Sequence, residues 1–349
     1  PSRYSLCIQS LLPFHQRCKP TSEYTMRVLL ANDESQHSRA ATDYLLSLPF
    51  RKPIELDVAS IIAPPIMVDI GVGGMPMDLR GFIDEERQAA LARIEATASQ
   101  LRDGARGKSL HSVSTHVPVG SPAGELLNLA EQTDSELVVI GAVGHSVLDR
   151  VLLGSVSDYV ATHGDVSTLV VRPSRESETP PSLQKIVIAL SGSAEDQRMI
   201  DWLGNLHLQS SVEVHLVRIL QLQTLYRQDI RQKASESWGR FVKQSQQQIL
   251  DLEAQLQKLN LNTETHLVEA DHVGEALIDY AEAHDCDLIM TGDSDSGMLT
   301  RMFMGSTSRY VLRHVTCSML IVRDKEERAK AKQEIATGAH VAEEGAISN

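Results

Sequence analysis

Two glycine clusters at matched spacing are the residues of this chain best suited to chemistry. The first is Gly141-x2-Gly144-x9-Gly154-Ser155; 151 positions later Gly292 takes the place of Gly141, and Gly305-Ser306 that of Gly154-Ser155. Each cluster follows directly on an apolar run, Leu137-Val-Val-Ile140 or Leu288-Ile-Met290, with the composition of a buried parallel strand. A strand that runs into Gly-x-x-Gly and then a Gly-Ser helix start offers an anion backbone N–H groups and the positive end of a helix dipole. Phosphate suits such a cradle, because glycine lets it approach the main chain and Ser155 adds a hydroxyl donor. The second copy carries Asp295 in place of Gly144. Two unit charges about 4 Å apart repel by about 1 kcal/mol in water and several times more near a protein surface. The second cradle is therefore expected to bind phosphates weakly or not at all unless Mg2+ bridges the charges, with Gly297 leaving room for a shifted loop.

Familiar nucleotide motifs do not fit. A dinucleotide fingerprint needs its glycines after the first strand and an acid about 20 residues on. Here the first strand ends in Ala31-Asn32-Asp33-Glu34-Ser35. A P-loop needs a lysine before its Ser or Thr, and neither Gly154-Ser155 nor Gly305-Ser306 has one. No Ser/His/Asp ordering, no HExxH and no base aimed at the cradle is visible, so at most slow hydrolysis of a bound nucleotide is expected.

The elements that must position these glycines are themselves duplicated. Arg150 and Arg301, Tyr159 and Tyr310, and the runs Leu169-Val-Val-Arg172 and Leu320-Ile-Val-Arg323 share the same offset. A repeat of this length is a duplicated domain, since solenoid units run only about 20–50 residues. Strands are expected near 27–32, 55–62, 111–118, 136–141 and 168–172, then near 185–190, 212–219, 262–269, 286–291 and 318–323. Alternation with helices implies two tandem α/β domains, each a doubly wound parallel sheet whose ligands sit at the carboxyl ends of the strands. The division expected is a disordered leader 1–25, a first domain 26–172, a Pro/Ser-rich linker 173–184, a second domain 185–323, and a frayed, disordered tail 324–349.

On these residues the chain resembles the universal stress protein family, in the ATP-binding subgroup defined by Gly-x2-Gly-x9-Gly-[Ser/Thr]. The resemblance covers roughly 26–172 and 185–323. It implies that Asp33 lies near the adenosine and that the backbone at Ile61 meets the adenine. It also implies that Ile140, Gly141, Gly144, Gly154, Ser155 and Val156 form the phosphate and ribose cradle, for ATP carried with Mg2+. Gly292, Gly305 and Ser306 would form a weaker second site, where Ser191 has replaced the first-strand acid. The resemblance further implies a stress-response role and pairing through the last strand of each half, giving an internal pseudo-dimer here, with homodimerisation of the whole chain as an addition. Its protein partner is not named by the sequence. Two rivals remain open at this stage: an adenine-nucleotide hydrolase or transferase on a related fold, and a scaffold whose glycines only turn the chain.

Composition narrows the setting. A net charge of -13 disfavours nucleic acid and anionic membrane as partners. Four scattered cysteines with no CxxC pair fit reduced thiols in a cytoplasm, and no apolar stretch is long enough to span a membrane. Other features have plain readings. Asp33 also suits a helix cap, and His145 reads as a surface loop residue. His111 and His116, five apart in a strand, face opposite sides and make a poor metal site. Ile66 to Met77 reads as a loop, and Ile249, Leu252, Leu256 and Leu259 as a core stripe on one helix.

Overall fold

The computed structural model describes residues 25–64, 79–104, 110–143, 153–173, 183–221, 228–293 and 304–329, without the side chains of 79, 80, 82, 104 and 228–236. Gly144, His145, Asp295 and Gly297, the 66–77 segment, and most of the leader, linker and tail lie outside these residues. The first half contains β1 (Met26–Ala31), α1 (Gln36–Ser47), β2 (Ile54–Ala59), α2 (Leu79–Gly104), β3 (Leu110–His116), α3 (Pro122–Gln132), β4 (Leu137–Gly141), α4 (Ser155–His163) and β5 (Ser167–Val171). The second repeats the order as β6 (Lys185–Leu190), α5 (Ala194–Leu203), β7 (Glu213–Gln221), α6 (Gln228–Lys258), β8 (Asn262–Ala270), α7 (Val273–Ala283), β9 (Leu288–Gly292), α8 (Ser306–His314) and β10 (Ser318–Val322).

The strands follow the order β3-β2-β1-β4-β5-β10-β9-β6-β7-β8 in one ten-stranded sheet. Pairing is parallel within each half and antiparallel only where β5 meets β10. The α/β class matches expectation, and β5 pairs with β10, the strands the family resemblance pointed to, so the two sheets are continuous. Strand composition follows position. In β4, β5, β9 and β10, at the centre, every residue is buried, as helices on both faces require. The outermost strands β3 and β8 alternate with exposed Ser, Thr, His and Glu, which makes them poor templates for edge-to-edge aggregation.

Helix boundaries have local causes. The Ser35 hydroxyl accepts the Ser38 N–H and caps α1, α3 opens on Pro122, and the His272 ring accepts the Glu275 N–H to cap α7. On α6, Ile249, Leu252 and Leu256 are buried as the helical spacing predicts. Leu259 is 41% exposed, because α6 ends at Lys258 and the turn carries the next residue off the stripe.

Where the halves meet, Leu169 faces Leu320 across the seam, with Val170 opposite Met319 and Thr168 opposite Ile321. Those pairings are symmetric under the 151-residue offset, so the seam has the self-complementary form of a twofold interface. Two buried arginines extend the symmetry. Arg172 donates from Nη2 to the Leu312 carbonyl at 2.8 Å, and Arg323 from Nη2 to the Ala161 carbonyl. Each thus satisfies a carbonyl near the C-terminus of the other half's helix, where a cation is favoured by the dipole. The backbone N–H of Arg172 donates to Ser318 Oγ and that of Arg323 to Ser167 Oγ. A second contact joins the loops, with Arg51 N–H donating to the Asn205 carbonyl at 2.8 Å and His207 N–H to the Pro49 carbonyl at 2.6 Å.

The symmetry breaks at one position. Arg323 Nε donates to buried Asp293 at 2.9 Å, whereas Ala142 is the offset counterpart of Asp293 and no carboxylate among the described residues pairs with Arg172. Burial lowers the Arg172 pKa to about 10, and among the described residues its Nη1 has no hydrogen-bond partner. Asp293 also binds Arg328 from residues 325–329, a short helical stretch beyond β10. Arg328 is buried and reaches the Gly164 carbonyl of the first half. The segment from 324, expected to fray into a disordered tail, is helical at 325–329 and anchored there by Arg328.

This asymmetry predicts unequal costs. Arg323→Met leaves Asp293 underpaired in the core and is expected to destabilise the protein by roughly 3–5 kcal/mol. Arg172→Met removes an underpaired cation and loses mainly one hydrogen bond, at about 1 kcal/mol. Urea unfolding of the two variants measures the difference, and equal losses would contradict the account.

Candidate functional site

The turn from β1 to α1 is built by short polar side chains. Asn32, buried, accepts the Glu34 N–H at 2.9 Å and the Ser38 hydroxyl at 3.3 Å, and Asp33 Oδ1 accepts the Ser35 N–H at 3.0 Å. Glu34 is thereby held at φ 62°, in the left-handed region. The equivalent turn of the second half places Gly192 there, at φ 84°, where glycine carries no strain. Capping of α1 falls to Ser35, which leaves Asp33 exposed at the carboxyl end of β1.

The carboxyl ends of β1, β2 and β4, with the N-termini of α1, α3 and α4, enclose a partly open cavity of about 190 Å³. Asp33, Ile61, Ile140, Gly141, Gly154, Ser155 and Val156 all line it. Gly144 is the one expected first-half residue outside the described set. The structure adds Asn32, Ser38, Ala59, Pro122, Leu126 and Val143 to the lining. The Asn-Asp-x-Ser turn was a legible signal for Asn32. Pro122 and Leu126 were not legible, because they reach the cavity only through the packing of α3.

The glycines divide by role. A Cβ on Gly141 would lie 2.6 Å from the His37 carbonyl carbon, and one on Gly292 would lie 2.5 Å from Glu195 Cβ. Both glycines are thus required by the first turn of a helix crossing close over the strand end, whatever else they do. Gly154 differs. It caps α4 in extended conformation, at φ -69° and ψ 151°, without any side-chain cap. A Cβ there meets the Ala142 carbonyl oxygen at 3.3 Å, a tight fit but not a forbidden one. The backbone does not demand glycine at 154, and the uncapped start of α4 faces the cavity. Ser157 turns inward and donates to the Ala142 carbonyl at 2.6 Å.

The second half has a different electrostatic character. Gly292 ends β9, and Gly305-Ser306 opens α8. Asp196, in the first turn of α5, is buried and accepts the N–H groups of Ser191 at 2.8 Å and Gly192 at 2.7 Å. Burial raises its pKa, opposed by those hydrogen bonds and by Arg218. Arg218 packs over Gly192, donates to Gln248 at 2.6 Å and lies 5.4 Å from the Phe241 ring centre. The backbone donors of this turn are already used by the protein's own carboxylate. His116, weighed above as a ligand, instead pairs with Asp57 of the neighbouring strand at 2.6 Å. Cys286 and Cys317 are free thiols.

Fold and site together define a tandem α/β protein, with a glycine turn at the carboxyl end of the fourth strand in each half. The family model for the universal stress protein family matches residues 25–172 and again 182–323, and the chain belongs to that family. A universal stress protein of Methanocaldococcus jannaschii is 26% identical over 151 residues, 43% of this chain and 84% of its own length. One from Mycobacterium tuberculosis is 22% identical over 250 residues, 68% of this chain and 80% of its own. Among solved structures, a universal stress protein from Archaeoglobus fulgidus superposes with a TM-score of 0.56 at 18% identity, covering 85% of this chain and 96% of that one. No described helix is long and apolar enough to cross a membrane.

His37, under Gly141, carries a pH signature. Burial lowers its pKa below 6.5, with Arg172 acting in the same direction and Asp33 opposing. Its Nδ1 has no hydrogen-bond partner among the described residues. The folded state therefore takes up the proton less readily than the unfolded chain, so this contribution to stability is present above pH 6.5 and is lost as pH falls through the window below it. The urea midpoint is expected to drop between pH 7.5 and 5.5, and His37→Gln to remove part of that drop. An identical drop in the variant would contradict the assignment.

Proposed function

We propose that the first half binds ATP, with Mg2+ carried on its phosphates, and that the chain works as a nucleotide-dependent binding module in a cytoplasmic stress response. The observation that carries this reading is convergence. Seven residues chosen from sequence, drawn from four separate stretches, line one cavity at the carboxyl ends of the strands, where doubly wound folds take their ligands. The apolar wall of Ala59, Ile61, Ile140 and Leu126 suits a base, and Asp33 at the rim suits ribose hydroxyls. The uncapped start of α4 at Gly154-Ser155 suits the phosphates. Gly154 and Ser155 line the cavity, so a phosphate there would meet the backbone N–H groups that open α4. The second half is read as structural or regulatory, since Asp196 occupies the N–H donors of its first turn and Asp295 adds charge to its glycine cluster. Turnover is not part of the proposal.

Denaturing the purified chain and identifying any released nucleotide by mass spectrometry tests this directly. About one ATP per chain is expected, with Gly154→Val losing it and Ser155→Ala weakening it. Two per chain would overturn the assignment of the second half. No nucleotide, and no binding on adding ATP with Mg2+, would leave the glycines as packing residues and the protein as a scaffold.

A further inference from the structure

The second half carries a histidine cluster on β7 and β8, the two strands at its outer edge. In the parallel register His215 lies opposite Glu264 and Val217 opposite His266. Side chains two apart on a strand share a face, so His215, Glu264 and His266 project together towards α7. Their ligand atoms all lie within 4.8 Å of one another. His266 Nε2 is 3.3 Å from Glu264 Oε2, and His215 Nε2 is 3.6 Å from Glu213 Oε2.

His215 is 2% exposed. Its Nδ1 is engaged by the Tyr280 hydroxyl at 2.7 Å, while its Nε2 has no hydrogen-bond partner among the described residues. A buried imidazole nitrogen left bare is costly. Here one nitrogen is fixed by a neighbour and the other points at a carboxylate-bearing cluster, which is how a metal-ligating histidine is commonly oriented. Tyr280 is itself stacked on His284, with ring centres 4.0 Å apart, so the orienting hydroxyl is held in place. Lys185 lies 3.7 Å from Glu213 and engages that acid, leaving Glu264 as the carboxylate for a cation.

We propose that His215, His266 and Glu264 bind a Zn2+ ion, with water as fourth ligand. Imidazole with one carboxylate suits zinc, whereas Mg2+ and Ca2+ take all-oxygen shells. A tetrahedral site with bonds of ~2.1 Å needs its ligand atoms about 3.4 Å apart. Glu264 and His266, partly exposed, have the freedom to close that gap around buried His215. The ion ties the outermost strand β8 to β7 and, through Tyr280, to α7. None of the three residues lines the first-half cavity, so the site is independent of the nucleotide reading.

The test is titration of the purified full chain, stripped with chelator, with ZnCl2 in a calorimeter, together with metal analysis after desalting. One Zn2+ per chain and a higher Tm with zinc are expected. Glu264→Gln, at an exposed position, combined with His266→Ala, at a half-buried one, should keep most of the zinc-free Tm and lose the site. Tyr280→Phe should weaken binding by about tenfold or more. No stoichiometric uptake by the unaltered chain, or equal uptake by the double variant, would overturn the proposal and leave the cluster as ring packing.

Discussion

The antiparallel pairing of β5 with β10 is the constraint on which the rest of the structure depends. Each half alone would end its sheet in a largely apolar strand with unpaired N–H and C=O groups, an edge that invites association. Joining the two edges removes both and makes one sheet whose four fully buried strands are central. The price in charge is two buried arginines, each reaching across the seam to a carbonyl of the opposite helix. Those crossings fix the halves in rotation as well as register, because Arg172 and Arg323 find their acceptors only if α4 and α8 sit symmetrically about Leu169 and Leu320.

Within this symmetric frame the halves have diverged where the frame permits. Asp293 stands at the position of Ala142, and the result is a buried network of Asp293, Arg323 and Arg328 in one half against a lone Arg172 in the other. The first turns differ as well. Where the first half uses neutral Asn32 and Ser38, the second uses the carboxylate of Asp196. Changes of this kind leave the strands undisturbed, since they occur at strand ends and helix starts, yet they reverse the local charge that an anion would meet.

The glycines show why a motif in an α/β protein carries mixed information. Gly141 and Gly292 are demanded by the approach of His37 and Glu195, so their presence follows from the fold alone. Gly154 is not so demanded, and it is the more informative position about a ligand. The pattern therefore mixes glycines that a crossing helix requires with one that it does not.

Duplication, the α/β class, nearly every strand and the convergence of the first-half residues were legible in the sequence, because each rests on local pattern. Apolar runs mark strands buried on both faces, and the shared offset of glycine, arginine and tyrosine marks two copies of one design. What only the tertiary structure decided are relations between residues distant in the chain. The packing of Arg328 against Asp293 and the contribution of Pro122 and Leu126 to the cavity belong here. So does the meeting of His215 with His266 and Tyr280, which no spacing announced. These depend on which strand lies beside which and how a helix lies across them, and side-chain periodicity records only which face is buried, never what it is buried against.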